Sequence, residues 1–470
     1  MRDGRERRTP PTPTAAPDRV LTGTFAKDHE RRYAHVPFDV PAGLHQLHVR
    51  YAYNDQIDSD PLITGGNTLD IGVFDERGIA ESSPGFRGWS GSEKMDVTID
   101  EAWATPPYRK GKIGAGTWHV LLGPYKVGPR GCDWKVEIWF DPGLPAPQQT
   151  YLAGTGHNPS LPAKRPGWLR GDLHCHTLFS DGDSWPVEML EAASAAGLDF
   201  LGVTDHNNVA HHASYGPGGR GQPIVIPGVE VTTYGGHWNA WGTDRWWEFR
   251  EPRAEAVERT MRAAAASGAV VSINHPKPFG PPWEYAIDGG FHTVEVWNGP
   301  WQRLNRAALD RWDELLRRGV RSPAVGGSDT HYLRVGDVPA RDADSLGTPT
   351  TWVHAEATVP SILTALREGR SFVSESPLGP QVYLDPDPGH AGRVSVEVRD
   401  GSGAALQLLG DRGMLASFRI DPPLWDATFD VLRGTRFVRA QLMSPSGRHG
   451  STRSRVDSTP SRCGTVHGRS

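Results

Sequence analysis

Apolar and polar positions alternate in short runs over the first third of the chain. The runs His45–Ala52, Thr68–Phe74, Lys94–Ile99, Thr117–Leu122 and Trp134–Phe140 are rich in aromatic and β-branched residues, and Gly, Pro, Asp and Asn separate them. That spacing predicts an all-β sandwich domain over 18–142. A Pro- and Gly-rich stretch without periodicity, 143–167, reads as a linker. From Trp168 the pattern becomes strand, helix, strand. Arg170–His174, Phe200–Thr204, Pro223–Thr233, Ala269–Asn274 and Thr293–Trp297 read as strands. Helices are predicted from a Ser184 N-cap with Pro186 just inside to Gly197, then over Arg253–Ser267, Gln302–Arg318 and Val359–Glu368, each stopped by glycine. Alternation of this kind predicts an α/β barrel of parallel strands over 168–376. Strand-like runs return over 377–443 as a small β extension. The Pro/Thr/Ala-rich residues 1–17 and the Ser/Arg/Gly-rich residues 444–470 have little to bury and are expected to be disordered tails.

Composition narrows the function classes. With 470 residues, more than one domain is expected. A formal net charge of −5 argues against a protein built to hold nucleic acid through a basic face, so no stable nucleic-acid partner is expected. No run of about 20 apolar residues exists to span a membrane, and no apolar core follows the N-terminal arginines, so a cytoplasmic protein is expected. Cys132, Cys175 and Cys463 are too scattered for a disulfide framework or a thiolate zinc site.

The 19 histidines are informative through their clustering. His174-Cys175-His176, Asp181, Asp205-His206, Glu230, His237, Asn274-His275, Glu295 and Asp329-Thr330-His331 all fall at or just beyond the C-terminal ends of predicted strands, where a β/α barrel keeps its chemistry. Residues two apart on a strand face one side, so His174 and His176 can grip one ion, and Asp329 and His331 can do likewise. Imidazole plus carboxylate without thiolate suits Zn, Mn or Fe, and the number of ligands implies two or three divalent ions.

These motifs, Gly-Asp-Leu-His174-Cys-His176, Val-Thr-Asp205-His206-Asn, Pro-Gly-Val-Glu230, Gly-His237-Trp-Asn, Asn-His275-Pro, Glu295-Val-Trp-Asn and Gly-Ser-Asp329-Thr-His331, resemble those of the PHP (polymerase and histidinol phosphatase) metal-dependent hydrolases. The likeness extends to the subgroup that includes carbaryl hydrolase, in which a β domain precedes the barrel. The resemblance implies a distorted (β/α)7 barrel. It also implies one ion on His174, His176, Glu230 and Asp329, a second on Glu230, His237 and His275, and a third on Asp181, His206 and His331. The nucleophile implied is a hydroxide bridging the ions, with Asp329 or His331 passing the proton to the leaving group.

Around this set, Asp172 is read as orienting a ligand or holding the strand, and Asp205 as holding His206 or ending its strand. Lys277 and Arg334 are candidates for a substrate anion, and Trp297 and Asn298 for the pocket wall. His211 and His212 lie in a Gly-rich loop, as ligands or as part of a lid, and His292 and His354 read as structural. The leading function is a phosphoesterase acting on a small molecule: a phosphomonoester, a nucleotide or a short oligonucleotide. Arg220, Lys277 and Arg334 are compatible with it. A carboxylic ester or carbamate hydrolase is the second reading, with Trp238, Trp241, Trp246, Trp247, Trp283, Trp297 and Trp301 as candidates for an aromatic pocket. A non-catalytic binding protein is the third.

Overall fold

Short alternating runs become strands wherever two sheets bury them. The computed structural model describes residues 13–147, 160–216, 221–335, 338–339, 346–387, 389–390, 392–443 and 453–457. Eight strands open the chain: β1 (Arg19–Phe25), β2 (Ala34–Val40), β3 (Gln46–Tyr53), β4 (Thr68–Phe74), β5 (Phe86–Gly91), β6 (Asp96–Asp100), β7 (Gly116–Lys126) and β8 (Cys132–Phe140). They form two antiparallel four-stranded sheets, in the orders β1-β8-β3-β6 and β2-β7-β4-β5. Leu47, Val49 and Ile138 of one sheet share a core with Ile71, Val73 and Val120 of the other. Each such side chain contributes roughly 1.5–3 kcal/mol by leaving water. Strands β4 and β5 are buried along their whole length, so the second sheet is covered on its outer face as well.

The cover is the middle domain. Its strands are β9 (Trp168–Cys175), β10 (Phe200–Val203), β11 (Ile224–Thr233), β12 (Gly236–Trp241), β13 (Val270–Ile273), β14 (Thr293–Asn298) and β15 (Ala324–Gly327). Neighbours pair in chain order. The ring comes close to closing, because the Asp329 amide donates to the His174 carbonyl at 2.8 Å and the His176 amide to the Thr330 carbonyl at 2.9 Å. Helices α1 (Pro186–Ala195), α2 (Ala254–Ala266) and α3 (Asn305–Arg317) lie between strands. Beyond the ring, β16 (Arg334–Val335) and β17 (Val338–Pro339) form a hairpin, and β18 (Thr350–His354), α4 (Val359–Arg367) and β19 (Ser371–Ser374) follow. Strand β18 runs antiparallel to the first half of β9. Helix α4 seals one end of the ring by setting Ile362, Leu363 and Leu366 against Leu173, Ile226, Trp241 and Val270.

The regular strand–helix alternation is not realised throughout. Strands β11 and β12 form a tight antiparallel hairpin, and β12 also runs antiparallel to β13. Helix α1 also starts differently from the expected Ser184 cap. Trp185 is the capping residue, and its amide is taken by the Glu188 carboxylate at 2.7 Å, while the Ser184 hydroxyl turns to Asp183. A carboxylate three residues into the helix serves that end better than a hydroxyl already engaged by its neighbour.

After the barrel come β20 (Gln381–Pro386), β21 (Arg393–Arg399), β22 (Ala405–Gly410), β23 (Gly413–Arg419), β24 (Leu424–Asp430), β25 (Val438–Met443) and β26 (Arg453–Asp457). Strands β20, β21 and β24 form a separate sheet, whereas β26, β25, β22 and β23 continue the barrel sheet outward from β19. The expected tail over 444–470 therefore contains a strand. Arg453–Asp457 pairs with β25 on one side and β19 on the other. Its backbone completes two ladders, and that bonding needs no apolar side chains. The rest of that expected tail, residues 1–12 of the N-terminal one and 148–159 of the linker lie outside the described residues.

Candidate metal centre

Parallel strands bring their C-terminal ends to one rim, so residues far apart in sequence arrive together. His174 is the last residue but one of β9, and His176 and Asp181 follow the strand. His206 follows β10, Glu230 lies on β11, His237 on β12, and His275 follows β13. Asp329 and His331 follow β15. These nine residues form four overlapping groups whose ligand atoms lie within 4.8 Å of one another: His174/His176/Asp329, His174/Glu230/His275, His206/Glu230/His237 and His176/Asp181/His206/His331.

Glu230 is the hub. Its Oε1 lies 3.3 Å from His174 Nε2, 3.3 Å from His237 Nδ1 and 3.2 Å from His275 Nε2, and it accepts the Asn274 amide group at 2.7 Å. Its Oε2 lies 2.8 Å from His206 Nδ1 and 3.5 Å from His176 Nε2. Asp329 Oδ1 stands 3.0 Å from His176 Nε2 and 3.3 Å from His174 Nε2. Asp181 Oδ1 stands 3.4 Å from His206 Nε2 and 3.3 Å from His331 Nε2. His174 and His176 thus share a group, as their spacing predicts. Asp329 and His331 do not. Strand β15 ends at Gly327 and Asp329 has φ +55°, so strand parity no longer applies past that point. His275 also has positive φ, +28°. Left-handed backbone at two non-glycine positions costs on the order of 1–2 kcal/mol each, and it aims both side chains into the rim.

The electrostatics match a cation site. Burial favours a neutral Glu230, yet the imidazoles of His174, His237 and His206 outweigh it and hold the carboxyl well below the usual range. Asp329 and Asp181 are held low in the same way by surrounding histidines. In return, Asp181 and Asp329 overcome the effect of burial on His331 and push it up to about 10. His176 goes the other way, down to about 4, through burial and through His331 and His206. Ionised carboxylates enclosed by imidazoles are the donor set of a divalent ion. His174 Nε2, Asp181 Oδ1 and Glu230 Oε2 are buried here and make no aligned hydrogen bond to the charged groups that crowd them, as atoms turned to a ligand would be.

A second ring of groups holds this set in place. Glu295 faces His174 Nδ1 at 2.9 Å and accepts the His275 amide at 2.9 Å. Asp172 Oδ1 accepts the amides of His174 and Ser328, at 3.1 and 3.0 Å, and its Oδ2 accepts that of Gly347 at 2.7 Å, so it ties β9 to the loops after β15. Asp205 points away from the ligands and takes the Thr177 amide and hydroxyl and the Ser180 hydroxyl, shaping the loop that carries Asp181. His211 and His212 join no metal group. The His212 ring bonds the Gly228 carbonyl, and burial holds both imidazoles down to about 3.

Two expected substrate contacts change role. Lys277 is buried, and its ammonium donates to the Asn298 carbonyl (2.8 Å), Asn298 Oδ1 (3.0 Å) and Asn305 Oδ1 (3.0 Å). Its three protons are committed, so it braces Asn298 and has none left for a substrate anion. Asn298 in turn donates to Glu295 Oε2 and Asp329 Oδ2, both at 3.2 Å. Trp297 is core. A register shift between Glu295 and Trp297 turns its ring among Val294, Val296, Leu309 and Trp312. The Arg334 side chain and Arg220 lie outside the described residues. Asn305 carried no sequence signal, because its partner Lys277 is 28 positions away.

The aromatic-pocket candidates are redistributed as well. Trp238, Trp246, Trp247 and Trp283 pack with Phe74, Phe86, Trp89 and Leu121 of the N-terminal domain. Trp241 is buried beneath α4 and donates to the Leu173 carbonyl.

Comparison with known proteins agrees at the domain level. Residues 172–267 match the family model of the PHP domain. That span carries His174, His176, Asp181, His206, Glu230 and His237, while His275, Asp329 and His331 lie beyond it. No curated protein matches the chain. Among solved structures, a two-domain protein containing a predicted PHP-like metal-dependent phosphoesterase from Bacteroides vulgatus aligns at 19% identity. The alignment covers 66% of this chain and 100% of that one, with a TM-score of 0.36. An amidohydrolase from Chromobacterium violaceum aligns at 18% identity over 36% of this chain and 90% of its own, with a TM-score of 0.26. Among the described residues no helix is long and apolar enough to cross a membrane.

Proposed function

We propose that this chain is a metal-dependent hydrolase of the phosphoesterase type, acting on a phosphomonoester, a nucleotide or a short oligonucleotide. The observation that carries the reading is the convergence of nine ligand side chains on one rim, with His174 Nε2, Asp181 Oδ1 and Glu230 Oε2 buried at its centre and free of aligned hydrogen bonds. His174, His176, Glu230 and Asp329 would hold one divalent ion, Glu230, His237 and His275 a second, and Asp181, His206 and His331 a third. Zinc, manganese or iron suits this donor set. When bound, such ions activate water near neutral pH and polarise the scissile bond.

The chain's own residues do the rest. His331 Nδ1 faces the Asp329 carbonyl at 2.8 Å, and a carbonyl can only accept, so Nδ1 keeps its proton and Nε2, which faces Asp181, is the nitrogen that would give up its proton to hold an ion. Asp329, steadied by Asn298, or His331 would take a proton and return it to the leaving oxygen. Glu295 and Asn274 fix the directions in which His174, His275 and Glu230 point.

A phosphoester is favoured over a carboxylic ester or carbamate because the tryptophans that would line an aromatic pocket are largely spent on the domain interface. The order of β domain, barrel and β extension is that of the carbaryl-hydrolase-like subgroup, and it is what keeps the carbamate reading as the second one.

The test pairs elemental analysis of purified protein with turnover of p-nitrophenyl phosphate, bis-p-nitrophenyl phosphate, and p-nitrophenyl and naphthyl esters and carbamates. Two or more ions per chain, with phosphoester turnover abolished in His174→Ala, is the expected result. Turnover of only the esters or carbamates would replace this reading with the second, and no bound metal under Mn²⁺ or Zn²⁺ supplementation would sink both.

A further inference from the structure

The hairpin β11–β12 carries Glu230 on one strand and His237 on the other, together with Thr232, whose hydroxyl lies 2.6 Å from His206 Nδ1. Its tip, Tyr234-Gly235, is clasped from two sides. On one side the N-terminal domain takes the Tyr234 ring between Tyr33 and Tyr125, with centroids 4.9 and 5.2 Å away, and Asp70 Oδ2 accepts the Tyr234 hydroxyl at 2.9 Å. On the other side Thr233 and Tyr285 share a hydroxyl contact at 2.5 Å, and Tyr285 and Trp283 lie so close that a Cβ on Gly235 or Gly236 would stand 2.7 Å from them. Gly123 of β7 completes the clasp, since a Cβ there would lie 2.1 Å from the Tyr234 oxygen.

We infer that the N-terminal β domain sets the geometry of the metal centre, with Asp70 and Tyr234 as a positioning pair that fixes the hairpin bearing Glu230 and His237. This rests on the reading of the site as a metal centre.

The pair is costly for a structural contact. Asp70 sits on a strand buried along its length, flanked by core residues Leu69 and Ile71. A carboxyl there is unfavourable without a partner, and an apolar residue would fill the space at lower cost. What the polar pair adds is direction, because a hydroxyl–carboxylate bond holds the tip in one place where apolar packing allows sliding. Tyr234 follows directly on β11, four residues from Glu230 along a strand rising about 3.3 Å per residue, so displacement at the tip carries to the ligands through a stiff two-stranded ladder. Asp70 is also in electrostatic reach of the centre. Burial raises its carboxyl to about 7 against the opposing pull of the Tyr234 hydrogen bond and, after it, of His206.

The experiment uses the full chain and three variants. Tyr234→Phe removes one oxygen. Gly123→Ala leaves both bonding groups intact but occupies the place of the Tyr234 hydroxyl. Asp70→Asn keeps an oxygen that accepts from Tyr234. Metal dissociation constants are measured by chelator competition with Mn²⁺ alone, alongside the melting temperature of each metal-free protein. Tyr234→Phe and Gly123→Ala are expected to weaken binding of one ion by about 10–100-fold, with Asp70→Asn returning it to within a few-fold of wild type. Wild-type constants in Tyr234→Phe and Gly123→Ala would overturn the inference and leave the metal centre standing. Absence of Mn²⁺ binding in the wild type would overturn both. If Gly123→Ala fails to fold, Tyr234→Phe decides alone.

Discussion

Glu295 and His174 face each other at 2.9 Å, oxygen to Nδ1, and the other Glu295 oxygen receives the His275 backbone amide. One carboxylate thus orients ligands from two different strands, leaving His174 Nε2 turned to the centre. Glu295→Gln is expected to lower metal affinity by about 10-fold or more, because the amide cannot accept at both oxygens. Titration calorimetry with Mn²⁺ checks this, and an unchanged dissociation constant would remove Glu295 from the set of positioning groups.

Lys277→Met tests the reassigned lysine. It leaves the Asn298 carbonyl, Asn298 Oδ1 and Asn305 Oδ1 without that donor, at a cost of roughly 2–5 kcal/mol of stability. The expected outcome in urea unfolding is a lower midpoint, with turnover falling through kcat as Asn298 loosens from Asp329. A rise in KM for an anionic substrate at wild-type stability would return Lys277 to substrate binding.

Trp246→Ala separates core from pocket. The indole packs against Phe74, Phe86 and Phe249, and its Nε1 donates to the Ser83 carbonyl at 3.2 Å. Truncation at a buried aromatic of this kind costs about 3–5 kcal/mol. Thermal unfolding should therefore show a much lower midpoint, and folded protein at low temperature should keep its KM. The opposite pattern, changed KM at wild-type stability, would put Trp246 in the pocket.

The domain interface should loosen in acid. Burial, with Arg250 and His119 adding to it, brings His35 down to about 4 from its ordinary 6.5, and Arg250 donates to its Nε2 at 2.9 Å. A depressed histidine is neutral in the fold, while the unfolded chain takes up a proton below pH 6.5. Stability tied to His35 is therefore complete above about pH 6.5 and is lost as pH falls toward 4. Melting of metal-free wild type and His35→Gln across pH 4–7 should converge at the acid end. Parallel curves would assign the acid sensitivity elsewhere.

Much of the candidate centre was legible because it is written in local periods. His174 lies on β9 and His176 one residue past its end, still close enough to the strand's two-residue repeat for their spacing to put them on one side. Helices α2, α3 and α4 were close to their predicted bounds, because apolar spacing and terminal glycines act within a turn or two. The same local logic misled where the backbone leaves its period. Asp329 turns off the strand at positive φ, and a register shift sends Trp297 away from Glu295.

By itself, then, the chain determined which atoms can bind a cation and which strands deliver them, since both depend on residue chemistry and short-range geometry. Only the tertiary structure decided the duties of Lys277, Glu295 and the tryptophans, and the approach of Asp70 to the β11–β12 hairpin. Burial and pairing are sums over surfaces contributed by distant segments. A lysine next to a metal motif is a free cation in sequence and a committed brace once Asn298 and Asn305 close around it.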